Sequence, residues 1–175
     1  MAVCFKRIYF LQLWIFSAKS ISATSTSGGK VEIVPISDLG SGSRVFTDRD
    51  YKFVKVGNYP EACSFIRGPN DDKKTDPDMI QTELEVPFPS TVYLDIWGGD
   101  EHLKKISKWA DSWKEANTEP TSFGPGKATW GPGKVIKRNF DAGTIGLMGN
   151  NGGEIGGGHG TYYAFVCPQG KPTTI

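Results

Sequence analysis

Between residues 31 and 166 the apolar residues fall into short runs, separated by stretches rich in glycine, proline, asparagine and aspartate. The runs are VEIVPI (31–36), YKFVKV (51–56), CSFIRG (63–68), MIQTELEVPF (79–88), TVYLDIW (91–97), KVIKRNF (134–140), TIGLM (144–148) and TYYAFV (161–166). A buried helix needs roughly ten or more residues, whereas short runs rich in Val, Ile, Thr, Tyr and Phe between turn residues read as strands. In ELEVPF, Leu84, Val86 and Phe88 alternate with Glu83, Glu85 and Pro87, as in a strand with one face in a core and one in water. The expected fold is therefore all-β, a jelly-roll-like sandwich of about eight to ten strands.

One stretch breaks the pattern. In GDEHLKKISKWADSWKEAN (99–117), Leu103, Ile106, Ala110 and Trp113 recur at spacings of three and four, with charged residues between them. That stripe predicts a short helix, or a helical turn running into a strand. Trp109 falls off the stripe, at its rim or exposed.

The first residues read as a leader. MAVCFKR is short and basic, IYFLQLWIF (8–16) is apolar, and SAKSISATSTSGG is small and polar, which is the order of a secretory signal peptide. An apolar run of that length rises only ~14 Å as a helix, well short of the ~30 Å hydrocarbon core of a membrane. Cleavage after Ser22 or Ala23 fits best, giving a secreted, extracellular chain that has no membrane association once cleaved. Residues 1–23 are thus the signal peptide, and 24–45 a flexible lead-in (TSTSGGK) with the first strand. Residues 46–168 form the sandwich and 169–175 a tail. Losing Lys6, Arg7 and Lys19, and no acid, moves the net charge from +1 to −2. A chain so near neutrality offers no electrostatic reason to expect nucleic acid. Cys4 leaves with the leader, so Cys63 and Cys167 remain, and an even pair in an oxidising compartment reads as a disulfide. Two unpaired thiols are the alternative.

Few residues are placed for catalysis. The two histidines, His102 and His159, have no second His or Cys at metal-ligand spacing, and GSGS (40–43) is not a nucleophile elbow. The stretch 70–78 gathers Asn70, Asp71, Asp72, Asp76 and Asp78, oxygen donors of the kind calcium takes, but without EF-hand spacing. Its alternative is a solvated loop in which Lys73 and Lys74 offset the acids. The glycine-rich stretch before Cys167 lies between two strand-like runs with no Lys-Ser or Lys-Thr after it, so it is no phosphate cradle. It reads as a hairpin connection between the last two strands at a sandwich edge, with Asn150 near its tip. Indole rings stack on sugar faces. Trp97 and Trp113 are expected in the core, and Trp109 and Trp130 as an exposed platform.

The order of motifs resembles a known kind of module. FTDRDYKFVKV…PEACSFIRGPNDDKK, then TVYLDIW…KW…SW, then FDAGTIGLMGNN…TYYAFV are similar to a galactose-binding-like β-sandwich of secreted and polysaccharide-associated proteins. The matching positions are Asp48, Arg49 and Tyr51; Asn70, Asp71, Asp72 and Lys73; Val92, Tyr93, Leu94 and Asp95; Trp109 and Trp113; and Phe140, Ala142, Gly143, Leu147 and Asn150. They span about residues 46–166 and depart from the pattern at LMGNN, in the GGEIGGGHG insert and in the cysteine pair. The resemblance implies an accessory, non-catalytic module that contacts extracellular polysaccharide or matrix proteins. Small secreted sandwiches of this kind also look similar to the organic matrix proteins of invertebrate skeletons, although the sequence has no long acidic run. The expected function is a non-enzymatic component of an extracellular matrix or surface coat, without a cofactor. Its rival is a lectin-like protein, with calcium as an assisting ion. The candidate ligand contacts are Trp109, Trp130, Asn70, Asp71, Asp72 and Asn150, and the candidate calcium ligands Asp71, Asp72, Asp76 and Asp78.

Overall fold

The computed structural model describes residues 20–118, 122–124, 133–151 and 161–170. Its strands pair antiparallel in three sheets. The first sheet holds β1 (Ser22–Ser25), β5 (Ile80–Val86) and β10 (Gly143–Met148), in that order. The second runs β2 (Glu32–Pro35), β4 (Ser64–Arg67), β11 (Tyr163–Pro168), β6 (Ser90–Ile96), β9 (Lys134–Phe140) and β7 (Lys114–Glu115). A small third sheet pairs β3 (Lys52–Lys55) with β8 (Ser122–Gly124). The all-β reading holds, and each of the eight apolar runs contains a strand.

The six-stranded sheet carries a core on each face. One lies against the three-stranded sheet and joins Leu84 and Val86, Ile145 and Leu147 to Val92, Leu94 and Ile96, with Ile106 and Ala110 closing one side. The other lies under residues 45–63 and gathers Val45, Phe46, Phe53, Tyr59 and Phe65 around β11. Successive residues of a strand point to opposite faces. Tyr163, Phe165 and Cys167 therefore enter the second core, and Ala164 and Val166 the first. This double burial is why TYYAFVC is apolar without alternation.

Cys63 and Cys167 form the expected disulfide, with Cα atoms 4.1 Å apart across 104 residues of sequence. The pairing of Val166 with Ser64 sets the two cysteines side by side in the second core.

Two local expectations change. Ser22–Ser25, assigned to the leader and a flexible lead-in, is a strand paired with β5, so a cut after Ser22 or Ala23 would fall inside it. It is legible only from its partner, because SATS carries one small apolar residue. TIGLM and TYYAFV are not a hairpin: β10 belongs to one sheet and β11 to the middle of the other, so the chain crosses between layers. The hydrophobic partners of the two strands dictate this, since β10 has one buried face and β11 has two. The stripe of 99–117 forms the expected helical turns, α1 (Gly99–Lys105) and α2 (Ser107–Ala110), which run into β7. Gly98 and Gly99, at φ of 91° and 57°, make the sharp entry that a side chain would strain.

Candidate functional site

The motif residues behind the family resemblance hold one another. Asp48 accepts the backbone N–H of Asn70 (2.7 Å) and of Asp71 (3.1 Å), satisfying the start of the 3-10 turn Asn70–Lys74. Arg49 bridges Asp48 (3.2 Å) and Asp71 (2.7 Å). Burial works to raise the pKa of Asp71, but the hydrogen bond and charge of Arg49 outweigh it and hold the carboxyl below its usual range. Asp72 is buried and accepts from Ser25 Oγ (2.8 Å) and Ser27 Oγ (2.6 Å), which ties the β1 end of the chain to this turn. Its pKa is raised, because burial outweighs the two hydroxyl donors.

A second clamp surrounds LMGNN. His102 is buried, with one ring nitrogen 2.9 Å from the carbonyl of Trp97 and the other 2.5 Å from that of Asn150. Trp109 Nε1 donates to Gly149 O (3.0 Å), Gly149 N to Met79 O (2.8 Å), and Asn151 Nδ2 to Lys74 O (3.1 Å). A Cβ on Gly149 would land against the carbonyl oxygens of Thr75 and Asp76. Gly149→Ala is expected to cost roughly 1–3 kcal/mol or more, because backbone must move to admit the methyl group. A urea midpoint corresponding to less than about 0.5 kcal/mol of change would show that this contact yields freely.

The candidate ligand contacts are therefore not gathered into one surface. Asn70, Asp72 and Asn150 are buried, and Asp71 is engaged by Arg49. Trp109, expected as an exposed platform, is half-buried and meets Trp113 and Tyr162 edge-on, with centroids 6.0 and 6.3 Å away. Trp130 and His159 lie outside the described residues. Asp76 and Asp78 are exposed, and among the described residues no group of three or more His, Cys, Asp or Glu side chains is placed to hold a metal.

A concave site does exist where the helical stripe meets the sheet edge. It is a groove of about 520 Å³ between α1, α2, β7 and β9, within the roughly 300–1,000 Å³ typical of small-ligand pockets. Leu103, Ala110, Trp113 and Ile136 supply its apolar lining. Trp113, expected in the core, is only half-buried: it packs on the first core, meets Phe140 edge-on at 5.8 Å, and still lines the groove. Asp100, Lys104, Asp111, Glu115 and Lys134 add charge. Lys134 Nζ lies 2.7 Å from Asp100 and 3.1 Å from Glu115. These hydrogen bonds, to Asp100 first, hold the ammonium above its ordinary pKa, and the same bond holds Asp100 below the usual carboxylate range. Such an exposed network adds little stability, but it fixes donors and acceptors beside an indole ring. The stripe spacing pointed to Trp113 and Leu103; Asp100, Glu115 and Lys134 carry no signal of their own, because antiparallel pairing brings them together from separate segments.

The architecture is an all-β sandwich with a short helical segment and one disulfide. It is similar to part of a β-glucuronidase from glycoside hydrolase family 2, with a TM-score of 0.57 and 18% identity over 85% of this chain and 14% of that one. A second similar structure is a GH138 enzyme targeting pectin rhamnogalacturonan II, with a TM-score of 0.49 and 15% identity over 87% of this chain and 17% of that one. The chain thus spans a small part of each enzyme's length. No family model and no curated protein matches the sequence.

Proposed function

We propose that this protein is a secreted, non-catalytic carbohydrate-binding module that serves as a component of an extracellular matrix or surface coat. The observation that carries the proposal is the groove beside Trp113. An indole ring, a small apolar floor and a fixed set of carboxylates and lysines suit a ring with an apolar face and hydroxyls on its rim. The disulfide suits an oxidising compartment, and no helix among the described residues is long and apolar enough to cross a membrane. The non-catalytic reading is supported by His102, whose ring nitrogens face two backbone carbonyls.

The test is a glycan array followed by titration of the best ligand. Trp113→Ala is expected to weaken binding at least about tenfold, since loss of a stacking aromatic in a site typically costs more than 1 kcal/mol. Trp113→Phe should retain part of the affinity, and binding should persist in a chelator. An array with no glycan above background, or a bound glycan indifferent to Trp113, would overturn the assignment.

A further inference from the structure

The opposite face of the same sheet edge carries a second groove, of about 510 Å³, and its charge is of one sign. The layer that covers this face ends at Tyr59, whose ring meets Tyr93 edge-on at 5.8 Å. Beyond Tyr93, Val135 of β9 stays in the second core, whereas Lys137 is partly buried and Asn139 and Lys114 are exposed. Register sets three side chains in one row there: Tyr93 on β6 opposite Lys137 on β9, and Lys137 opposite Lys114 on β7. Like charges directly opposite each other on neighbouring strands destabilise a sheet. Arg138 reaches the rim from the next position and donates to Ser112 Oγ (3.0 Å).

Among the described residues no acid pairs with this cluster. The ion pairs of the sheet edge join Lys134 to Asp100 and Glu115, on the Trp113 side. Among the described residues, Lys114, Lys137 and Arg138 have no carboxylate partner, and the residues lining the groove include no Asp or Glu. Lys137 Nζ instead sits 5.9 Å from the centroid of the Tyr93 ring. A folded chain with 20 basic and 19 acidic residues has partners enough to avoid this arrangement. Local rules broken without a structural gain mark a functional surface.

We infer that this groove binds an anionic polysaccharide, one bearing sulfate or carboxylate groups. Three cations around a concave floor attract such groups, and Asn139, Thr91 and Ser112 add neutral donors and acceptors for sugar hydroxyls. Nucleic acid fits less well: Lys137 already lies by the one aromatic ring of the groove, which leaves no stacking platform for bases. This site shares no lining side chain with the Trp113 groove, and its ligand is distinguished by charge.

The experiment is a titration of the folded protein with dextran sulfate, uncharged dextran and duplex DNA of similar length at low salt. Dextran sulfate is expected to bind, with uncharged dextran much weaker. The paired substitution K114Q/K137Q is expected to weaken dextran sulfate at least about tenfold and to flatten its salt dependence, as the loss of two charge contacts requires. Trp113→Ala should leave it within about twofold, so failure of the Trp113 groove and failure of this one are separately visible. Because K114Q/K137Q relieves a like-charge pair, its urea midpoint should equal or exceed that of the parent. Absence of dextran sulfate binding, binding unchanged in K114Q/K137Q, or duplex DNA bound as tightly as dextran sulfate would overturn the inference.

Discussion

Reduction of the Cys63–Cys167 bond is expected to lower the melting temperature by roughly 10–20 °C. The bond closes 104 residues, and a loop of about that size is worth close to 5 kcal/mol in the chain-entropy model. In a domain of this size each kcal/mol corresponds to about 2–4 °C. The site is favourable for the full effect. Both sulfurs are buried in the second core, and β4 and β11 already stand in register beside them, so the cross-link demands no displacement of the sheet. The comparison is thermal unfolding with and without reductant, repeated on the double variant Cys63→Ala, Cys167→Ala. A reduced protein that melts within about 2 °C of the oxidised form would show that the bond contributes little to equilibrium stability.

Phe165→Ala is expected to cost about 3–5 kcal/mol, the range for emptying a buried aromatic site. Phe165 is 0% exposed, stacks on Tyr59 with centroids 3.7 Å apart, and meets Phe65 at 5.1 Å. Its strand lies between β4 and β6, so neither neighbour can slide inward to fill the space without breaking a ladder. Burial is also what drives the Tyr59 hydroxyl pKa upward, with Asp95 as the second cause, so the ring stacked on Phe165 is itself held in a dry place. Val54→Ala, at a side chain 45% exposed on β3, should stay within about 0.5 kcal/mol. Urea midpoints at unchanged slope would measure both. A Phe165 variant no less stable than the Val54 variant would contradict the packing described for the second core.

The strands were legible because alternation and turn residues mark them, as in ELEVPF, where Leu84 and Val86 are buried and Glu83 and Glu85 are not. Sheet membership was not. TIGLM and TYYAFV follow one another in sequence, and only the double burial of β11, implicit in its unbroken apolar run, separates them into different layers. β1 was hidden because SATS is polar and depends on β5 for its hydrogen bonds. The same limit applied to function. Short motifs such as NDDK stand out in a sequence because local turns constrain them, and here the motif builds a turn held by Asp48, Arg49 and Ser25. The grooves are assembled from side chains on β7, β9 and the helical turns, and no local pattern records which of these meet.

The position of β11 has a consequence for biosynthesis. Among the described residues this strand is the last in chain order, yet it sits between β4 and β6, and without it the six-stranded sheet falls into two unconnected pieces. A ribosome therefore releases some 160 residues before the piece that joins them exists, and throughout that interval Cys63 has no Cys167 to meet. The six-stranded sheet can be completed only once this far end of it is delivered, a long-range pairing of the kind that slows folding.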